Sequence, residues 1–134
     1  MSDYVSLPEW EKFPNFSRSE FVCRFTDKCE MDFEFIEVLQ EIRDEYKKPI
    51  IINSGYRDRK HPLEIDKETP GEHTLGLAVD IRCSHLDAIK ILEIAIKKGI
   101  RRIGLAQKGI TTSRFIHLGM ADKNHHFPVS IWTY

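Results

Sequence analysis

The sequence predicts an α+β fold: one domain over residues 1–134, with a largely antiparallel sheet flanked by helices. Three observations carry that expectation. Two segments repeat apolar residues at helical spacing, and several short apolar runs bounded by turn residues read as strands. Helices and strands do not alternate strictly, which argues against a doubly wound parallel sheet. With 134 residues the chain can bury one substantial core and is short for two.

Taken in order, Ser17 and Glu20 stand in capping-box spacing, so a short helix starts there and turns Phe21 and Val22 inward. Asp32 caps a longer helix whose apolar positions Phe33, Ile36, Leu39, Ile42 and Tyr46 recur until the break before Pro49. Residues 50–53 form a short buried strand that Ser54 and Gly55 end. Residues 56–72 hold two prolines, one glycine and nine charged side chains without a period, which makes them a long loop. Loops of that length in a compact domain commonly carry function.

Residues 77–81 are the next strand. Ser84 starts the second helix with Asp87 in the capping-box position, and Leu86, Ile89, Leu92 and Ile96 mark its inward face. Lys97 and Lys98 suit its negative end, and Gly99 is its natural C-cap. Residues 102–105 and 114–118 complete the strands, with a Gly/Thr turn at 109–112 between them.

Composition excludes several classes of function. The hydrophobic fraction of 41% and charged fraction of 31% are those of a soluble globular protein, and a net charge of −1 offers no field to attract nucleic acid. No apolar run is long enough for a membrane span, and the first 16 residues lack a signal-peptide layout. The expectation is a monomer made in the cytoplasm, which reaches any target outside it by another route. Cys23, Cys29 and Cys83 cannot all pair within the chain, so buried thiols are expected rather than a disulfide framework or a thiolate metal site.

The stretch PGEHTLGLAVDIRC, residues 70–83, raises a chemical question: Asp80 stands among Leu77, Ala78, Val79 and Ile81. A carboxylate in such a run is costly to desolvate unless a cation or hydrogen bonds meet it. His73 enters this strand and His117 lies in the last one, and two imidazoles with one carboxylate match the ligand count of a catalytic zinc site. On spacing alone, a hydrogen-bonded histidine and an aspartate tied to backbone amides remain the plainer reading.

The order S-G-Y-R (54–57), then H-x-x-G-x-A-x-D (His73, Gly76, Ala78, Asp80), then F-I-H (115–117) resembles the M15 family of zinc peptidases. The resemblance spans residues 16–119 and includes Phe16, Ser19, Glu20 and Phe21, which match the F-x-x-S-E-F opening of small bacterial and phage members. It implies the fold shared by D-Ala-D-Ala peptidases and the hedgehog signalling domain, with Zn2+ held by His73, Asp80 and His117. It also implies a catalytic Arg57 that stabilises an oxyanion or grips a peptide carboxylate, tasks that suit its planar fork. A structural salt bridge to the acidic loop is the rival reading of Arg57. Ser54 and Tyr56 shape the turn. The expected substrate is a peptidoglycan stem peptide, cut by D,D-carboxypeptidase or L,D- or D,D-endopeptidase action, as in an endolysin.

Two departures stand against that pattern. Small members usually carry H-V-D at the third ligand, but residues 117–119 read H-L-G, so Gly119 replaces an acid that would share a strand face with His117. Gly71 also stands where a polar residue is common. Zinc hydrolases usually need a side chain to relay the proton, and Glu72, Asp122, His125 and His126 are the candidates near by in sequence, each more plainly a solvated surface residue. The alternatives are therefore a catalytically silent zinc module that binds cell wall, or a virion structural part. In the latter, Phe127, Ile131, Trp132 and Tyr134 make external contacts instead of closing the domain's own core.

Overall fold

A computed structural model describes residues 4–120 and 127–134. Two helices, α1 (Phe33–Tyr46) and α2 (His85–Lys97), accompany five strands. These are β1 (Ile51–Ser54), β2 (Ala78–Arg82), β3 (Arg102–Ala106), β4 (Phe115–Gly119) and β5 (Ser130–Thr133). The strands form one sheet in the order β1-β2-β4-β3-β5. All neighbours are antiparallel except β3 and β5, which run parallel. The fold is thus α+β with a mostly antiparallel sheet, as expected, although β5 was not among the predicted strands.

Helix α1 starts and ends where its sequence directs. The Asp32 carboxylate accepts the Phe35 N–H at 3.0 Å, and Lys47 ends the helix in the left-handed region at φ 64°, two residues before Pro49. Its buried face is Phe35, Ile36, Leu39, Gln40 and Ile42. At Ser17 the capping box forms, with the Ser17 N–H donating to Glu20 Oε2 at 2.7 Å, but it opens only a 3-10 turn, Arg18–Glu20. Phe21 is buried behind that turn and stacks on Trp10 at 5.3 Å.

Helix α2 corrects the sequence reading. Leu86 and Ile89 are each 60% exposed and Ile96 is exposed as well, so of the expected face only Leu92 packs on the core, while Ala88, Ile91 and Ala95 are buried. The helix packs on α1 and β4 through that narrower stripe, in which two alanines allow a close approach around one isoleucine. Size alone does not reveal such a face. The capping box expected at Ser84 does not form either, because the Asp87 carboxylate turns to Lys48 Nζ at 2.8 Å.

Strand alternation divides the sheet's side chains. Val79, Ile81, Ile103, Ile116 and Leu118 join the buried core with the apolar side chains of α1 and α2 and the N-terminal aromatics. Asp80, Gly104 and His117 take the opposite face. Cys23 and Cys83 are buried free thiols and Cys29 is half-buried, in keeping with a packing role. No helix among the described residues is long and apolar enough to cross a membrane.

Candidate metal centre

The sheet register assembles the site. Asp80 on β2 lies opposite His117 on β4, His117 lies opposite Gly104 on β3, and Gly104 lies opposite Trp132 on β5. One row across four strands therefore reads Asp80, His117, Gly104, Trp132. The pairing of β1 with β2 slips between Ile52 and Ser54, which brings Ser54 beside Asp80 and turns the chain toward the long loop.

His73 reaches this row from a 3-10 turn, Glu72–Leu75, at the end of that loop. Two hydrogen bonds tie it to the S-G-Y-R stretch. Its Nδ1–H donates to the Gly55 carbonyl at 2.8 Å, and the Arg57 N–H donates to the His73 carbonyl at 3.1 Å. The turn closes on Gly76 at φ 70°, where a Cβ would come within 2.0 Å of the Glu30 carbonyl oxygen. That motif glycine is therefore set by backbone geometry and by close chain approach.

One nitrogen each from His73 and His117 and one oxygen of Asp80 lie within 4.8 Å of one another. Asp80 Oδ1 is 3.1 Å from His117 Nδ1, and its Oδ2 is 3.5 Å from His73 Nε2 and 3.8 Å from Arg57 Nη2. These are the groups that meet the carboxylate buried in an apolar run. Burial alone would push the Asp80 carboxyl upward, but hydrogen bonds with His117 and His73 outweigh it and hold the group well below the usual carboxylate range. For His117, burial opposes the charge, yet its bonds to Asp80 and Glu72 win and raise its pKa above the ordinary histidine value.

Arg57 makes the salt bridge to the acidic loop that one of its two sequence readings expected. Its guanidinium stands beside Asp80, and its Nη1 also lies 3.6 Å from Glu64 in the loop. Glu64 is 1% exposed and accepts from the Gly71 N–H at 2.8 Å and from Lys67 Nζ at 2.9 Å. Burial pushes against its ionisation, but those partners lower its pKa. The loop expected from its lack of period is thus pinned from inside by one acid.

Glu72 is not a solvated surface residue; it is 3% exposed. Its Oε1 accepts from His117 Nε2, and its Oε2 accepts from Arg102 Nε at 3.0 Å. Asp122, His125 and His126 lie outside the described residues. Among the described residues of the tail, none of Phe127, Ile131, Trp132 and Tyr134 belongs to the buried core. Ile131 and Tyr134 are 65% and 62% exposed, while Trp132 is half-buried with its ring 5.0 Å from that of His117. Arg102 places its guanidinium 5.2 Å from the Trp132 ring. A concavity of about 300 Å³ results, lined by the His73–Asp80–His117 group, Arg57, Trp132 and Tyr134.

Sequence reasoning missed Glu64, Arg102 and Trp132 as parts of the site. One signal was available: Gly104 interrupts the run R-I-G-L-A, and a glycine within a strand marks close approach of another group. Here a Cβ would fall 2.6 Å from the Trp132 indole nitrogen.

Two imidazoles and one carboxylate, converging with room for a further ligand, suit zinc. No curated protein matches the chain. A family model described as peptidase M15 matches residues 14–119, a span that contains S-G-Y-R, His73, Asp80 and His117 and ends at Gly119. The chain belongs to the peptidase M15 family.

Proposed function

We propose that the protein is a zinc-dependent peptidase that hydrolyses peptidoglycan stem peptides, with His73, Asp80 and His117 as the metal ligands. The observation that carries the reading is the convergence of those three donors, from a loop and two strands, beside a guanidinium in a concave site. Bound zinc would supply a Lewis acid and acidify water to a pKa of about 7.

The chain's own residues supply the rest. His73 holds its Nδ1 proton on Gly55, which leaves Nε2 for the metal. Arg57, braced by Glu64, presents a planar cation to the oxyanion that develops on the scissile carbonyl or to a peptide carboxylate. Trp132 covers the outer side of His117 and keeps bulk water from that flank. The amphipathic wall of Trp132 and Tyr134 suits a short peptide lying across the sheet. Action on the cell wall of bacteria belongs to the same reading.

The deciding experiment incubates purified protein with peptidoglycan, with and without chelator, and measures released amino acids and peptides. Zinc-restorable release is expected. Hydrolysis indifferent to chelator would defeat the mechanism. Gly119 favours a second reading, a zinc-containing wall-binding module without turnover. That module would bind stoichiometric zinc and remain on sacculi while releasing no fragments.

A further inference from the structure

The missing acid at position 119 and the buried acid at position 72 occupy the same space. Gly119 stands two residues beyond His117, on the same face of β4, and pairs with Ala78 and Arg102. A Cβ at 119 would lie 2.4 Å from Glu72 Oε2, 2.7 Å from its Cδ and 2.8 Å from its Oε1. Such distances are incompatible with any side chain while Glu72 stays in place. The Glu72 carboxylate has one oxygen on His117 Nε2 and the other on Arg102 Nε at 3.0 Å. Arg102 is fixed in turn by the Pro128 carbonyl and by the rings of Phe127 and Trp132.

We infer that Glu72 and Gly119 are an exchanged pair. The carboxylate that β4 lacks is supplied from the turn before His73, and Gly119 is the vacancy that admits it. Glu72 acts through His117 and is a positioning residue, not a metal ligand: the three-donor group comprises His73, Asp80 and His117 without it. By accepting the Nε2 proton it selects the tautomer whose Nδ1, on the Asp80 side, would be free to ligate a metal, and it fixes the plane of the ring. The departure from the family pattern at 119 is thereby compensated within the same cavity. This inference deepens the metal reading above and rests on it.

The test measures zinc affinity by competition with a chromophoric chelator, the visible spectrum of the cobalt-substituted protein, and the His117 tautomer by nitrogen NMR. The proteins are wild type, Glu72→Gln, Glu72→Ala, Gly119→Asp and the double variant Glu72→Ala/Gly119→Asp. Loss of the carboxylate in Glu72→Ala should weaken zinc about 10–100-fold and alter the cobalt spectrum. Gly119→Asp should also weaken zinc, because two carboxylates then compete for one space. In the double variant affinity should recover to within a few-fold of wild type. Glu72→Gln keeps the shape and an accepting oxygen, so it should lose less than Glu72→Ala. In the zinc-loaded wild type, which no folding defect can confound, His117 should carry its proton on Nε2.

Unchanged affinity in Glu72→Ala, a double variant no better than the product of the single losses, or a proton on Nδ1 would overturn the exchange while leaving the metal site intact. A wild type that takes up no zinc would instead overturn the metal reading and this inference together.

Discussion

Replacing Gly76 by alanine should destabilise the protein strongly, and the structure permits the size to be worked out. At φ 70° an L-residue costs about 1–2 kcal/mol. The new methyl would also sit 2.0 Å from the Glu30 carbonyl oxygen and 2.8 Å from both the Asp32 nitrogen and Met31 Cα, all of them backbone atoms that cannot rotate aside. Overpacking of that kind adds about 1–3 kcal/mol. Reduced freedom of the unfolded chain returns up to about 1 kcal/mol. The net loss is about 3 kcal/mol, and for a chain of this size that lowers Tm by about 9–15 °C.

Gly99 provides the control, because it has φ 96° but nothing within 4 Å of its virtual Cβ. Gly99→Ala should therefore show the conformational cost alone, about 1–2 kcal/mol less the same return from the unfolded chain. Thermal unfolding followed by circular dichroism compares the two variants on one scale. If Gly76→Ala melts no lower than Gly99→Ala, close contact with residues 30–32 does not explain the glycine. Since Asp32 caps α1 and its N–H donates to the Gly76 carbonyl at 3.0 Å, the damage should appear as loss of helix as well as of melting temperature.

Three further outcomes are expected. Glu64 has a lowered pKa in the fold, so its ionised form contributes stability above the ordinary carboxylate range, and that contribution is lost as pH falls through the lower folded value. Denaturant unfolding of wild type should therefore weaken between roughly pH 5 and 3 more steeply than that of Glu64→Gln, and parallel curves would contradict the pinning role. Arg57→Lys keeps the charge but not the fork; peptide hydrolysis should fall about 100-fold in kcat/KM with little change in Tm, whereas wild-type rates would refute a reactive role. Gly104→Ala would push on the Trp132 indole nitrogen, so in a Trp10→Phe background acrylamide quenching of the remaining tryptophan should rise. Unaltered quenching would mean that the ring does not rest on that gap.

Local signals in the sequence were most informative where a single residue type has a single structural use. Asp32 capped α1 and Gly99 took its positive φ, and short apolar runs marked four of the five strands. The inward face of α2 was only partly legible: hydrophobicity pointed to its larger residues, of which Leu92 packs on the core, whereas the buried positions are Ala88, Ile91 and Ala95. Strand β5 escaped because Ser-Ile-Trp-Thr pairs in parallel with β3 across more than twenty residues of sequence, with no adjacent turn to announce it. At the site, the convergence of His73, Asp80 and His117 was legible through motif order. The ion pairs of Glu64 and Glu72 were not, since burial of an acid in a charged loop depends on partners that only the folded chain brings near.

The parallel pairing of β5 has a practical corollary for shortening the chain. Its last strand both walls one flank of the cleft and screens the hydrogen-bonding rim of β3 from solvent. A variant cut back before Ser130 would shed the indole and at the same time leave β3 as a bare template for intermolecular strand addition. Lowered turnover and lowered solubility would then arrive together from one deletion, so point changes at Trp132 are the cleaner probe of the cleft.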